Sequence, residues 1–535
     1  MMSRIFGFSS KIYGRLNQKV LSIGFFLVLL MIGLLNFRKY GIYWDAAAYR
    51  LNGGGAAIYI ADLFKMDIVP EQYRQFPGMM ENGMADHGVA YDLPLVVLEF
   101  LFGISEPMHI YQMRTFVNFL VFVMGTLSIF FIVRRRLASV NLALLAAIFF
   151  VASPRIYAAG FFSPSDMVFL SFFVLGVNFC IRFLENPTWK NALWAGLICG
   201  YSTDIRLLGI IIFPIVIFLF FVQRILGTDP PNLKIKPLVC FCLSGMASIY
   251  LFFPYLWASP FSRFIEVFQS LSRYNWGGEN LYFGEFIRAS SVPWHYIPVW
   301  IAITTPVVFL ILFFLGLYTV VKSFALQREW QFERIQDLLF LGLFFGPIAM
   351  VVILDSTLYD SWRHLYFVYP FLVIIATIGW ASIRSDSNRF RFISPVKVSV
   401  TIIALAQISI WMISNNPNQN LYFNFLAGRE NLETKWEMDF SGLSNKQALD
   451  YIFSRESQDL ITVSVVSFTP FEVSLKAFPE DFENRIKVVE LEKLPDYIIN
   501  NYRLVKEPFT GVDGYELVKK FTVDNSSYLE IWKKS

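Results

Sequence analysis

The stretch VLSIGFFLVLLMIGLLNF, residues 20–37, runs straight into RKYGIYWDAAAYRLNGGG, residues 38–55, and this junction decides the class of the chain. The first part carries no charge and, as a helix, is long enough to cross about 30 Å of hydrocarbon. The second part opens a polar loop that holds Trp44 and Asp45 and continues to Asp86, His87, Tyr91 and Asp92. Acid and base residues placed just outside a span point to chemistry at a bilayer surface.

Composition agrees with that setting. Hydrophobic residues make up 56% of the chain and charged ones only 16%, the profile of a polytopic membrane protein. We read spans near 20–37, 113–133, 139–153, 167–183, 191–203, 207–223, 237–255, 298–320, 336–354, 364–380 and 397–413, eleven in all. The fold expected is an α-helical bundle over residues 1–414, with a long loop at 38–112, and a small soluble α/β domain over 415–535. With the N-terminus inside, the basic loops at Arg134 to Arg136, Arg182 to Lys190, Arg224 to Lys236, Lys322 to Arg334 and Arg384 to Lys397 all fall on the cytoplasmic side. Residues 94–104 are apolar but too short to span, so they read as an interfacial helix. The basic start has no small-residue cleavage site, and its first span is expected to stay. Cys180, Cys199, Cys240 and Cys242 lie in apolar segments and read as small hydrophobes. The net charge of +4 matters less than its distribution along the loops, and no nucleic-acid partner is expected.

On this topology the outer face collects Asp45, Asp86, His87, Asp92, Arg155, Asp166, Asp204, Arg206, His295, Asp355, Asp360, Arg363 and His364. Each alone reads as a solvated loop charge or a helix cap; together, beside a bilayer, they mark a site. Asp45 either caps the helix starting AAAYR or accepts a proton from a nucleophile, with a near-ordinary pKa that keeps it ionised at neutral pH. The cluster ADHGVAYDLP brings Asp86, His87 and Asp92 before a proline. Such spacing suits a phosphate or, weakly, a divalent metal, since no further ligands are fixed. In SPRIYAAGFFSPSDMVF, Arg155 suits a phosphate and Asp166 an acceptor or metal, unless the two only tie the loop. Asp204 and Arg206 interrupt an apolar run in GYSTDIRLLG. The aromatic loop from Tyr255 to Pro306 holds Arg263, Arg273, Trp276, Trp294, His295 and Tyr296, which serve as belt anchors or as a surface for stacking sugar. DSTLYDSWRHLYFVYPF brings Arg363 and His364 to the top of a late span, suited to holding a phosphate.

These features together resemble the GT-C glycosyltransferases: an Asp after the first span, an acidic cluster before the next helix, a Pro-Arg…Asp loop, a Pro-Trp-His-Tyr loop and a late Trp-Arg-His-Leu-Tyr span. Within them the chain is similar to bacterial relatives of the dolichyl-phosphate-mannose protein mannosyltransferases and of the aminoarabinose lipid A transferases. It departs in two places, with DHGVAYDLP where the mannosyltransferases have a His-Pro-Pro type motif and a lone Asp45 where they have an Asp-Glu pair. The resemblance implies a multi-pass protein of the bacterial inner membrane. It would transfer a sugar from a polyprenyl-phosphate donor to a lipid, glycan or protein acceptor on the outer face, with inversion and with Asp45 as general base. Asp86 and Asp166 are the other candidate catalytic carboxylates. His87, Asp92, Arg155, Arg206, Trp294, His295, Arg363 and His364 are expected to bind substrate. No cofactor beyond an optional divalent metal is implied, and neither GxxxxGK[ST] nor GxGxxG occurs.

In the tail, Ser444 reads as an N-cap for NKQALDYIFSRE, and ITVSVVSF, RIKVVEL and YLEIWKK read as strands. No nucleophile-base set is recognisable there, so acceptor binding or stability is its expected role. Asn525-Ser526-Ser527 matches a glycosylation acceptor pattern. A transporter or flippase of lipid-linked glycans is the rival class, but transporters place charges near the midplane and show repeats, whereas these charges lie at span ends and no repeat is evident.

Overall fold

The computed structural model describes residues 2–81, 83–226, 234–272, 276–326, 331–383, 393–467 and 469–535. Arg273 and parts of the expected basic loops at 224–236, 322–334 and 384–397 lie outside them. Helix α1 (Met2–Asn36) leads to the Asp45 corner, followed by α2 (Ala46–Leu63), α3 (Asp92–Phe102), α4 (Pro107–Leu137), α5 (Val140–Val151), α6 (Pro154–Phe162), α7 (Asp166–Glu185) and α8 (Trp189–Ile205). Helices α9 (Ile212–Ile225), α10 (Ile235–Phe252) and α11 (Pro260–Ser272) precede a hairpin, β1 (Glu279–Tyr282) and β2 (Glu285–Arg288). The bundle closes with α12 (Tyr296–Thr304), α13 (Val307–Leu326), α14 (Phe332–Ile353), α15 (Tyr369–Ser382) and α16 (Ile393–Ser414).

Among the described residues nine helices are long and apolar enough to cross a membrane, or ten if α5 and α6, bent by 72°, form one crossing. Eleven spans were expected, and the differences have local causes. Helix α5 stops after 12 residues because Pro154 biases Ser153 toward extended backbone (φ −98°, ψ 100°). The expected span at 298–320 is broken in the same way, with Thr305 extended before Pro306. Helix α8 has 17 residues, about 26 Å, and is short rather than absent. It lies tight against α10: a Cβ on Gly196 would meet Ser244 Oγ at 2.0 Å, and one on Gly200 would meet the Gly245 carbonyl at 2.5 Å. Small residues permit such backbone contact where no hydrophobic effect drives helices together. Helix α3, at 11 residues, cannot span, as expected, although it begins at Asp92 rather than after it.

After α17 (Asn445–Phe453) the tail forms strands β3 (Ile461–Val465), β4 (Ile486–Val488), β5 (Tyr497–Asn500), β6 (Tyr515–Val523) and β7 (Ser526–Lys534), in the order β4-β3-β5-β7-β6. β3 pairs in parallel with β4 and β5, while β7 runs antiparallel to β5 and β6. Ser444 stands at the start of α17, but its hydroxyl makes no cap bond. Asn525 lies with Asp524 in a two-residue hairpin turn (φ 67° and 48°), where Asn and Asp tolerate left-handed backbone, and Ser526 and Ser527 are buried. The Asn-Ser-Ser pattern is therefore turn chemistry.

The sheet domain shares one core with the bundle. Trp436 packs edge-on against Trp300 at 5.3 Å, and Asn424 Nδ2 donates to the carbonyls of Ala302 and Thr305 at 2.7 Å each, taking up acceptors freed by the break before Pro306. Trp411, near the end of α16, donates its Nε1 to both carboxylate oxygens of Asp524.

Candidate active site

Five segments far apart in sequence meet at one end of the bundle, around the guanidinium of Arg363. Its Nη1 lies 3.5 Å from Asp45 Oδ2 and 3.4 Å from Asp166 Oδ2, and its Nη2 lies 3.0 Å from Asp360 Oδ2. Asp166 opens α7, and its other oxygen is 2.5 Å from Arg206 Nη2 at the end of α8. Arg206 Nε donates to Ser165 Oγ at 2.9 Å. Asp360 is shared again, with Arg503 of the C-terminal domain, at 2.7 Å. Asp166, Asp360, Arg363 and Arg503 are all buried. Buried charges persist only when paired, so the cluster is held by mutual compensation.

Asp45 sits at the N-cap position of α2, yet its side chain makes no cap bond. Its Oδ2 instead accepts the Tyr43 hydroxyl at 2.7 Å, and one third of the side chain (33%) remains exposed. The capping alternative is thus not the one the geometry adopts. Burial pushes the Asp45 carboxyl above its ordinary range, against the pull of Arg363 and of the Tyr43 hydrogen bond. The near-ordinary pKa expected from sequence is corrected upward, a direction that suits proton acceptance near neutral pH.

The aromatic surroundings are dense. Tyr43 and Tyr359 lie under the Arg363 guanidinium at 5.6 and 4.9 Å. Trp276 stacks on Tyr359 at 4.5 Å, and Tyr359 meets the His364 ring edge-on at 4.6 Å. His364 is partly buried, and its Nδ1 has no hydrogen-bond partner among the described residues.

Of the residues expected at a site, the fold gathers Asp45, Asp166, Arg206, Arg363 and His364. The others have separate surroundings. Asp86 pairs with His87 Nδ1 at 2.9 Å and accepts from Ser270 on α11, and the His87 hydrogen bond lowers its pKa. Asp92 is buried against Arg114 at 2.9 Å. Arg155 is buried beneath the tail, donating Nε to the Tyr422 carbonyl and stacking on Phe423 at 4.5 Å. Trp294 is exposed, and His295 Nδ1 is 2.7 Å from the Tyr282 hydroxyl in the β1–β2 hairpin. Asp204 accepts from the Ala90 N–H at 2.8 Å and pins the 86–92 loop.

Two residues of the cluster, Glu437 and Arg503, escaped the sequence reading, and a third, Asp360, was read only as one of the outer-face charges, without a role. Asp360 and Ser361 both adopt left-handed backbone (φ 56° and 61°), a costly conformation that surrounding contacts must enforce. One such contact is the Ser361 N–H, which donates to Glu437 Oε2 at 3.0 Å. Burial, with the nearby Asp360 charge, raises Glu437 to about 8. With Glu437 protonated, the remaining carboxylates of Asp45, Asp166 and Asp360 balance the three arginines. Among the described residues no three His, Cys, Asp or Glu side chains group as a metal would need, and Arg363 occupies the point where the carboxylates converge.

The arrangement places a partly exposed carboxylate beside a cation able to bind an oxyanion, with a second Arg–Asp pair behind it. The model of the family described as dolichyl-phosphate-mannose-protein mannosyltransferase matches residues 106–249, a stretch that contains Asp166 and Arg206 but neither Asp45 nor Arg363. No curated protein matches the chain in sequence. Two structures of ArnT from Cupriavidus metallidurans are similar along nearly their whole length. The one bound to undecaprenyl phosphate has a TM-score of 0.50 at 11% identity, covering 96% of this chain and 97% of its own. The apo structure has a TM-score of 0.51 at 13% identity, covering 97% and 98%. Identity this low speaks to architecture, and in architecture this chain is a GT-C type bundle with a small C-terminal sheet domain, the fold of ArnT.

Proposed function

We propose that this protein is a membrane glycosyltransferase that moves a sugar from a polyprenyl-phosphate donor to an acceptor hydroxyl or amine, with inversion. The observation that carries the reading is Arg363 bridging Asp45 and Asp166 at one end of a GT-C type bundle. A lipid-borne phosphate entering from the bilayer would meet Arg363 and Arg206, and its charge would compete with Asp45 for Arg363. The freed carboxylate then takes the proton of the acceptor as its oxygen or nitrogen attacks the anomeric carbon. The bond from that carbon to the phosphate oxygen breaks, and the departing phosphate keeps the electron pair beside the arginines. Asp166 holds both guanidinium groups in place. The bond energy resides in the activated lipid, so no nucleotide is needed. ArnT, crystallised with undecaprenyl phosphate, supports the donor class.

Counting α8 and the bent α5–α6 pair as crossings puts Asp45, Asp166, Arg206 and Arg363 on the same side of the bilayer, opposite Arg134 to Arg136. The positive-inside rule makes the site's side the outer face, and with it that of the C-terminal domain. The resemblance to bacterial relatives makes the inner membrane the location proposed. Charges gathered at one end, rather than at the midplane, favour transfer over transport.

The test is to incubate the purified protein with a panel of polyprenyl-phosphate sugars and to follow their consumption. Turnover of one donor with release of the free lipid phosphate is the expected result. Exchange of intact donor between leaflets without cleavage would replace the reading with the flippase.

A further inference from the structure

The C-terminal domain reaches the candidate site through Arg503, just after β5. This side chain is fully buried, its Nη2 donates to Asp360 Oδ1 at 2.7 Å, and its guanidinium carbon lies 4.4 Å from the centre of the Trp44 ring. These two contacts reach the two halves of the site. Trp44 directly precedes Asp45, and the far oxygen of Asp360 holds Arg363 at 3.0 Å. The Asp360–Ser361 backbone between them is left-handed, and its Ser361 N–H is bonded by Glu437, which also lies beyond the last span. A strained corner of the bundle is thus held from the domain that follows it.

A simple interdomain staple does not need a charge here. Burying an arginine is costly, and packed apolar side chains join surfaces as well or better. A planar fork that stacks on one ring and bonds one carboxylate fixes distances and angles, which apolar contacts do not.

We infer that Arg503 is a positioning residue that sets the spacing between Asp45 and Arg363, so that the lipid-phosphate site is complete only when the C-terminal domain is docked. The lipid-phosphate part of this statement rests on the function proposed above.

The full-length protein in detergent, titrated with undecaprenyl phosphate, tests it alongside hydrogen exchange. Arg503→Gln is expected to weaken binding about 10-fold or more, the scale of a lost hydrogen bond to a charged group. Arg503→Lys, which keeps the charge on Asp360 but not the fork or the stack, recovers part of the loss. Exchange rises in residues 40–50 and 355–365 while β5 and β7 stay protected. In an Asp360→Asn background, Arg503→Gln adds little further loss. Unchanged affinity in Arg503→Gln, or a loss accompanied by equal unfolding of the whole sheet, overturns the inference. If the wild type binds no undecaprenyl phosphate yet both segments loosen in Arg503→Gln, the lipid-phosphate reading falls and the clamp stands. If the wild type binds and neither segment loosens, the clamp falls alone. Should Arg503→Gln fail to fold, Arg503→Lys and Trp44→Leu carry the same two measurements.

Discussion

Two buried ionic clusters lie near the same end of this bundle, and they are built differently. In the first, Arg114 on α4 bonds Asp92 at 2.9 Å and Glu99 at 3.0 Å on α3, Glu99 takes Arg50 of α2 at 2.9 Å, and the Tyr73 hydroxyl adds a bond to Glu99. Two arginines meet two carboxylates, all drawn from consecutive elements, at full hydrogen-bond distance. In the second, Arg363 stands 3.4 and 3.5 Å from two of its three carboxylates, and the members come from five separate segments. Short bonds between neighbours hold α3 onto the bundle. Loose sharing over one cation leaves room for a competing anion. Asp92 sits close to Asp45 in sequence and shares its chemistry, but it belongs to the first kind.

The sharpest way to break this contrast is to disrupt the closed cluster. Arg114→Ala strands Asp92 without its cation and leaves Glu99 with Arg50 alone, and is expected to cost about 3–5 kcal/mol of stability, read as a lowered thermal midpoint in detergent, while turnover per folded molecule holds. A fall in turnover of the folded fraction would move this cluster into the site. Asp45→Asn makes the opposite statement. Fold and insertion should stay normal while sugar transfer drops at least ~10²-fold, the scale of a general base. Undiminished turnover would send the search for the base to Asp166, or to Asp86 beyond the cluster.

Arg363 sharpens the comparison further. Arg363→Ala is expected to weaken use of the lipid-phosphate donor by about 10- to 100-fold and Arg363→Lys by less, because lysine keeps the charge and loses only the fork. Equal KM for the donor in wild type and both variants would remove this residue from donor binding. The smallest effect lies at Glu437, held at about 8 against an ordinary 4.5. Between those values the folded protein keeps a proton that the unfolded chain has released, so this group makes stability fall as pH rises through that window. Glu437→Gln cannot ionise and should flatten the fall. Its thermal midpoint relative to wild type should be higher at about pH 8 than at about pH 5. A constant difference across that range would show that Glu437 does not bind the extra proton.

Much of the site was legible because its charges interrupt apolar sequence. Asp166, Arg206 and Arg363 each stand at the edge of a long hydrophobic run, where a charge is expensive and therefore informative. Glu437 and Arg503 lie in ordinary polar sequence, where a charge carries no such signal, and only the folded chain shows that they are buried. Asp360 was visible in DSTLYDSWRHL as one polar residue among several, but its left-handed backbone was not. The breaks before Pro154 and Pro306 were written in the prolines themselves. They went unread because the hydrophobic run continues across both, and apolarity outweighed the backbone constraint.

The joining of Asp45, Arg363 and Arg503 also bears on how the protein comes into being. Chains enter membranes and fold broadly from the N-terminus as they are made, and contacts between distant residues form last. Asp45 emerges with the first span, whereas Arg503 follows the last one only after α17 and strands β3 to β5 of the C-terminal domain. A chain interrupted after α16 would therefore carry every span and both ends of the Asp45–Arg363 pair, yet lack the side chain that braces them. Its donor site would be braced only once synthesis had run past Arg503 to β7, so that an unfinished copy in the bilayer would hold its lipid weakly.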